Sequence, residues 1–175
     1  MTPAILLFSG YSDSGKTEYI AKLTQELMKK GIKTGYIKHH HGKIRSDGHL
    51  KDTWKMIDLG IEKTALIAED LNVVEMRKTE LDSVKEIKRI VRSYFSDCQI
   101  VFVEGFKELS AFPKIYVLKD GTDRIRFRES LGRREVIACV SDNEADLPCP
   151  CFSNSDVRNM MHYLLEYFNL IPENG

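Results

Sequence analysis

The chain lacks the segments that place a protein in a membrane or outside the cell. It has no apolar run of 18 residues and no basic, apolar signal peptide. It also lacks an excess of either charge, because 26 lysines and arginines balance 26 aspartates and glutamates. No overall field therefore attracts a nucleic acid or an acidic surface. We expect a soluble, cytoplasmic protein that binds neither membranes nor nucleic acids.

Proline and cysteine are scarce, and their positions restrict the architecture. The 175 residues contain 5 prolines and no linker rich in glycine, serine and proline, which predicts a single domain over residues 1–175. Of the 4 cysteines, Cys98 and Cys139 lie in or beside apolar runs, so we expect both in the core. Cys149 and Cys151 lack the C-x-x-C spacing and the second pair that a zinc ribbon needs.

The most informative stretch joins a strand, a glycine loop and a helix. Ala4–Ser9 is apolar on both faces, which is typical of a central strand in a parallel sheet. Residues 10–17 then read G-x-x-x-x-G-K-T, and apolar residues recur at helical spacing until Lys29. A phosphate-binding P-loop requires this order of elements.

Each residue type in this loop suits phosphate chemistry. Glycines at both ends let the backbone N–H groups point inward at phosphate oxygens, and the helix N-terminus adds its positive end. Lys16 can reach the β- and γ-phosphates, and Thr17 can offer its hydroxyl to Mg²⁺. The predicted nucleotide-binding residues are Gly10, Ser12, Asp13, Ser14, Gly15, Lys16, Thr17 and Glu18.

Three adjacent histidines follow a second predicted strand, residues 32–38. His39, His40 and His41 begin a polar loop at the carboxyl end of that strand, where open α/β sheets place their ligands. They could contact substrate or phosphate, or form part of a solvated basic loop. A transition-metal site is the third alternative, for which His39 and His41 could share one face of the chain.

A second acidic element follows later in the chain. Residues 100–103 form an apolar run that is followed by Glu104 and Gly105, which is typical of a Walker B strand. The carboxylate would lie beside the P-loop and hold Mg²⁺ or its water, or polarise an attacking water, so we predict Glu104 as a metal-site and catalytic residue with Lys16. The alternative is that Glu104 is only the end of a strand.

Strand and helix patterns alternate through the rest of the chain. Residues 113–118 and 135–140 predict two more strands, and residues 81–95 and 155–168 predict helices. We therefore predict an α/β fold with a mostly parallel sheet and helices on both of its faces. Residues 64–68 and 73–77 predict a hairpin insertion. A short helix precedes this hairpin and begins near Asp52, which is a candidate N-cap. The helix contains Trp54, which could be a core residue or an exposed ring on which a base stacks.

Two motif observations bear on chemistry outside the P-loop. Five arginines fall within residues 124–134, which could carry a transition-state cation or a partner surface, or be a solvated charged segment. The chain has no Asn-Lys-x-Asp motif, so local sequence does not name the base.

These motifs together resemble the MobB family of molybdopterin-guanine dinucleotide biosynthesis adaptor proteins. The resemblance covers nearly the whole chain and is carried by residues 10–17, residues 38–41, Asp52 and Thr53 with Gly60, and residues 103–107 with residues 113–115. The final stretch, containing Glu-Gly-Phe-Lys, is the most specific.

The resemblance implies a P-loop fold that binds GTP with Mg²⁺, forms a homodimer and hydrolyses GTP slowly. It also implies assistance to the guanylyltransferase of the MobA type that attaches GMP to molybdopterin. By motif, residues 10–17 would hold the phosphates and metal, Glu104 would be the second acid, and residues 39–41 would lie near the substrate edge. The alternative function is an autonomous ATP-dependent enzyme, either a small-molecule kinase or a ligase similar to dethiobiotin synthetase.

Overall fold

A six-stranded parallel sheet organises the part of the chain that the structure describes. The structure is a computed structural model, and it describes residues 2–40, 42, 50–78, 80, 82–119, 135–142 and 149–172. The sheet order is β2-β5-β1-β6-β7-β8. The strands are β1 Ala4–Ser9, β2 Thr34–Lys38, β5 Ile100–Glu104, β6 Lys114–Val117, β7 Val136–Val140 and β8 Cys151–Phe152.

The described helices are α1 Lys16–Lys29, α2 Lys51–Asp58, α3 Ser83–Tyr94 and α4 Val157–Tyr167. Two further strands, β3 Lys63–Ile67 and β4 Asn72–Met76, pair antiparallel. The predicted hairpin insertion and mostly parallel α/β sheet are therefore confirmed. Within the described residues, no helix has the length and apolar character needed to span a bilayer.

The chain divides into two units, which are described separately. The first comprises Met1–His39 and Ile87–Gly175, and the second comprises His40–Glu86. The prediction of a single domain over residues 1–175 stays a prediction. The P-loop and Glu104 belong to the first unit, and the β3–β4 hairpin belongs to the second.

β1 is an inner strand of the sheet in the first unit, with a parallel strand along each of its two edges. It pairs with β5 on one side and β6 on the other, and Phe8 lies opposite Glu104 in the β1–β5 register. Its apolar residues pack with α1, β5, β6 and α4. The shared core includes Leu6, Phe8, Ile20, Leu23, Leu27, Phe102, Ile115, Val117, Met160 and Leu164. This packing fixes the strand end from which the P-loop departs.

β2 approaches the core closely at one glycine. A Cβ added to Gly35 would lie 2.4 Å from a ring carbon of Phe95, so only glycine lets the strand pass this ring. The same strand places Lys38 opposite Glu104 in the β2–β5 register.

The prediction of a core position is wrong for Cys98 and confirmed for Cys139. Cys98 is half-buried and is not among the core residues. Cys139 is fully buried, as predicted, and it also forms a disulfide with Cys151, its register partner on β8. The two-residue strand β8 was too short for its pairing to be visible in the sequence.

The second unit corrects the start of α2. Leu50 occupies the N-cap position, and Asp52 lies in the first turn, where its negative charge complements the helix N-terminus. None of the residues of α2 is buried. Trp54 is half-buried, so the interpretation of this tryptophan as a core residue is wrong.

Candidate functional site

The P-loop, residues 10–17, has the backbone that its two glycines allow. Gly10 has φ +150° and Gly15 has φ +81°, both in the region that side chains disfavour. A Cβ on Gly10 would also lie 2.4 Å from the carbonyl oxygen of Val117. Gly15 occupies the N-cap position of α1 without a side-chain cap, so the first turn of the helix has N–H groups to offer an anion.

The Lys16 side chain folds back over this loop. Its Nζ donates to the carbonyl oxygens of Gly10 and Tyr11 at 3.3 and 2.5 Å, and to Ser14 Oγ at 3.3 Å. Burial lowers the pKa of Lys16, partly offset by the negative charge of Glu104. The ammonium therefore stands over the loop, held by neutral oxygens that phosphate oxygens can replace.

Glu104 lies directly beside the start of α1. Thr17 Oγ1 donates to Glu104 Oε2 at 2.8 Å, although 87 residues separate the two in sequence. Tyr36 Oη donates to the same oxygen at 2.7 Å, and Lys38 Nζ lies 3.4 Å from Oε1. A carboxylate that ends β5 thus meets the P-loop threonine and two side chains of β2.

These donors keep Glu104 negatively charged. Burial acts to raise its pKa, but hydrogen bonds from Tyr36 and Thr17 and the charge of Lys38 outweigh burial and hold the pKa below its usual range. Burial and the hydrogen bond to Glu104 raise the pKa of Tyr36 to about 12. Tyr36 therefore remains a neutral donor and Glu104 a charged acceptor at neutral pH.

Hydroxyl and carboxylate oxygens suit Mg²⁺, which prefers hard oxygen ligands. Thr17 and Glu104 place one of each side by side at the mouth of the P-loop. Among the described residues no group of three or more His, Cys, Asp or Glu side chains could hold a metal ion.

The segment after β5 adds a second cation beside the P-loop. Lys107 Nζ lies 4.2 Å from the centre of the Tyr11 ring, a cation–π contact between this segment and the loop. Phe106 has φ +52°, which a bulky residue seldom adopts. Lys107 and Lys38 both act electrostatically on Lys16, so three lysines place positive charge beside the P-loop.

The structure describes two of the three predicted histidines. His39 directly follows β2, its ring stacks on Phe106 with centroids 3.9 Å apart, and its Cβ would contact any side chain at Gly105. His40 is exposed and belongs to the second unit. His41 lies outside the described residues. A direct role of residues 39–41 in ligand contact stays a prediction.

The other predicted loop residues differ in their exposure to solvent. Ser12, Asp13 and Glu18 are exposed, and Glu18 forms an ion pair with Lys22 at 2.7 Å. Ser14 is buried within the loop. Residues 124–134, with the five arginines, lie outside the described residues. The role of each site residue in binding stays a prediction.

Tyr36 and Lys107 are site residues that the sequence predictions did not include. Successive side chains of a strand point to opposite faces, so Tyr36 and Lys38 lie on the same face of β2. This spacing of two residues was the signal in the sequence that could have indicated Tyr36. Lys107 lies within the Glu-Gly-Phe-Lys stretch, but its position over Tyr11 depends on a fold contact between distant segments.

Comparisons with known proteins agree with this architecture. Residues 5–142 match the family model described as Molybdopterin guanine dinucleotide synthesis protein B. The chain is 29% identical over 172 residues to the Molybdopterin-guanine dinucleotide biosynthesis adapter protein of Escherichia coli strain K12, covering 98% of this chain and 95% of that protein. It is 32% identical over 111 residues to the protein of the same name from Haemophilus influenzae, covering 63% and 61% of the two chains.

A solved structure shows the same fold. The crystal structure of molybdopterin-guanine biosynthesis protein B superposes with a TM-score of 0.71 at 23% identity, covering 95% of this chain and 99% of that one. This likeness confirms the predicted α/β, P-loop-like fold.

Proposed function

The chain belongs to the Molybdopterin guanine dinucleotide synthesis protein B family, and from that premise we propose that it is a GTP-binding accessory protein. In this proposal it assists a guanylyltransferase in attaching GMP to molybdopterin and hydrolyses GTP slowly on its own. The related proteins of E. coli and H. influenzae carry the name of biosynthesis adapter proteins, which supports an accessory role.

The hydrogen bond between Thr17 and Glu104 carries the nucleotide-binding part of this proposal. It joins the P-loop to the end of β5 at 2.8 Å across 87 residues. A bare glycine turn would need no buried carboxylate at this place, and a buried charge is costly unless donors satisfy it. An acid held beside the P-loop hydroxyl is the arrangement that a Mg²⁺-bound triphosphate uses.

In this proposal, different residues of the site would bind different parts of GTP and Mg²⁺. The N–H groups of the P-loop and the N-terminus of α1 would bind the phosphates. The Lys16 ammonium would give up its hydrogen bonds to the loop carbonyls and donate to phosphate oxygens instead. Thr17 and Glu104 would hold the metal ion or its water. A bound Mg²⁺ supplies charge neutralisation to the phosphates. Tyr36 keeps the Glu104 carboxylate oriented by donating to it.

The partner-dependent part of the proposal rests on family membership. Molybdopterin and a guanylyltransferase of the MobA type would be the partners. Homodimer formation and a cytoplasmic location stay predictions. The contacts that support the nucleotide site depend on neither of them.

Replacing Glu104 with glutamine is expected to weaken Mg²⁺-dependent GTP binding or slow GTP hydrolysis at least about tenfold. The change keeps the size of the side chain but removes its charge, and it places an amide donor where Tyr36, Thr17 or Lys38 also donates. A tenfold loss corresponds to about 1.4 kcal/mol. Calorimetric titration of GTP, with and without Mg²⁺, measures the first effect, and a single-turnover assay measures the second.

Glu108→Gln provides the matched control, because it makes the same change of charge four residues further along, at an exposed position. It should leave both quantities within about twofold of wild type. Unchanged Mg²⁺ dependence and turnover in Glu104→Gln would make Glu104 a structural strand end and remove the observation that carries the nucleotide proposal.

A further inference from the structure

The segment that joins β5 to β6, residues 105–113, crosses the end of β1 next to the P-loop. Because β1 lies between β5 and β6 in the sheet, this connection must pass over β1. At the start of the segment the N–H of Gly105 donates to the carbonyl oxygen of Phe8 at 3.0 Å. At its end the N–H of Leu7 donates to the carbonyl oxygen of Pro113 at 2.9 Å. Both ends of the segment are therefore anchored to the strand from which the P-loop departs.

One buried lysine fixes the middle of this segment. Lys114 begins β6, its side chain is only 3% exposed, and its Nζ donates to the carbonyl oxygen of Lys107 at 2.9 Å. Glu135 Oε1 lies 3.9 Å from the same nitrogen, on a side chain that is 9% exposed. A buried ammonium is costly unless an opposite charge and hydrogen-bond acceptors compensate it. The buried charge of Lys114 therefore holds the backbone of Lys107 in one place.

The side chain of Lys107 extends from this fixed backbone to the P-loop. Lys107 is exposed, and its Nζ lies 4.2 Å from the ring centre of Tyr11, the residue that follows Gly10. Its charge also acts on Lys16. A cation–π contact at an exposed site is weak, so phosphate oxygens can replace the ring as partners of the ammonium.

The position of Lys107 in the chain indicates which phosphate it can meet. The segment leaves β5 directly after Glu104, whose carboxylate accepts a hydrogen bond from Thr17 at 2.8 Å. Lys107 thus approaches the P-loop from the side that would hold Mg²⁺ in the proposed function. In P-loop proteins the metal ion bridges the β- and γ-phosphates, so the terminal phosphate lies towards this side.

We infer that Lys114 is a positioning residue, which does not touch the nucleotide but holds Lys107 where its ammonium binds the terminal phosphate of GTP. The inference rests on the proposed function, because it assumes that the phosphates occupy the P-loop. A lysine on a mobile segment would lose backbone and side-chain freedom on binding. Fixing the backbone in advance removes part of that cost, so the buried hydrogen bond strengthens triphosphate binding from a distance.

Lys107→Met tests the phosphate contact, because methionine keeps an apolar stem and removes the charge. Calorimetry with Mg²⁺ would give the affinities of wild type and variant for GTP and GDP. GTP affinity should fall about tenfold or more, since a hydrogen bond to a charged group is worth at least that ratio. GDP affinity should fall less than about threefold, because GDP lacks the terminal phosphate and solvent screens an exposed charge that is further away. Retained GDP binding shows that the variant is folded.

Lys114→Met/Glu135→Met tests the positioning role. Removing both members of the buried pair leaves neither charge unpaired in the interior. The variant should lose about threefold of the preference for GTP over GDP, which is the cost of ordering one side chain, with GDP affinity within about twofold of wild type. Adding Lys107→Met should bring the preference no lower than Lys107→Met does alone, because Lys114 acts only through Lys107. Lys114→Arg, which keeps the charge and a donor for the same carbonyl, should retain the wild-type preference.

Lys88→Met is the matched control, because Lys88 is also exposed and its Nζ lies 5.9 Å from the ring centre of Phe112 in the same segment. It should retain the wild-type preference. A preference unchanged in Lys107→Met, or equal weakening of GTP and GDP, would overturn the inference while GDP binding still upheld the phosphate site. A further loss when the variants are combined, or the same loss in Lys114→Arg as in Lys114→Met/Glu135→Met, would overturn the positioning role. Failure of wild type to bind either nucleotide would overturn the proposed function as well.

Discussion

Lys16→Ala is expected to reduce GTP affinity more than about 100-fold while leaving the fold intact. Lys16 lies over the P-loop, is half-buried, and donates to two loop carbonyls and the Ser14 hydroxyl. Its loss would remove the charge that meets the β- and γ-phosphates, and no core contact. The cluster of buried apolar residues does not include it.

A thermal-shift titration measures this effect. Ligand at 100 times its dissociation constant stabilises the folded state by about 2.7 kcal/mol, which for a domain of this size raises the melting temperature by roughly 5–11 °C. Wild type should show this shift with GTP and Mg²⁺, and Lys16→Ala should show almost none. Lys29→Ala, at the exposed last turn of the same helix, should behave as wild type. Equal shifts in wild type and Lys16→Ala would show that GTP binds elsewhere.

The isolated protein is expected to hydrolyse GTP at least about 10³-fold more slowly than a typical enzyme, whose turnover is about 10 s⁻¹. The cations that act on Lys16 within the described residues are Lys38 and Lys107. An arginine that reaches the transferred phosphate is worth about 10³ to 10⁵ in rate in related P-loop proteins. A site with lysines and one acid should therefore bind GTP well and react slowly.

Single-turnover hydrolysis over a dilution series separates the possible sources of a faster rate. A rate that rises steeply with protein concentration would indicate a group supplied across a dimer, such as an arginine from residues 124–134. A rate that rises only with added guanylyltransferase would indicate the partner. Turnover near 10 s⁻¹ without either would contradict an accessory role and favour an autonomous kinase or ligase.

The local parts of this site could be predicted from the sequence because their chemistry is local. The P-loop glycines, Lys16 and Thr17 are fixed by their spacing, and Glu104 by an apolar run that ends in an acid. These elements depend on backbone conformation and burial, which neighbouring residues largely determine. The parallel order of the strands also follows from alternating strands and helices.

The contacts that depend on register could not be predicted. Tyr36 reaches Glu104 only because β2 pairs with β5, a pairing that joins segments more than 60 residues apart. The same holds for Cys139 with Cys151, and for Asp142 with Asn154, which meet because β7 and β8 lie side by side. A short edge strand has too few residues for its sequence pattern to indicate which strand it pairs with.

The yield of molybdopterin-guanine dinucleotide tests the central claim most directly. A guanylyltransferase of the family's partner class would be supplied with limiting molybdopterin, GTP and Mg²⁺, and product would be quantified with wild-type protein, with Lys16→Ala, and without addition. The account predicts that wild type raises the yield or rate and that Lys16→Ala, with an intact fold, does not. Equal stimulation by both proteins would contradict a nucleotide-dependent accessory role for the P-loop, and stimulation by neither would contradict the accessory role itself.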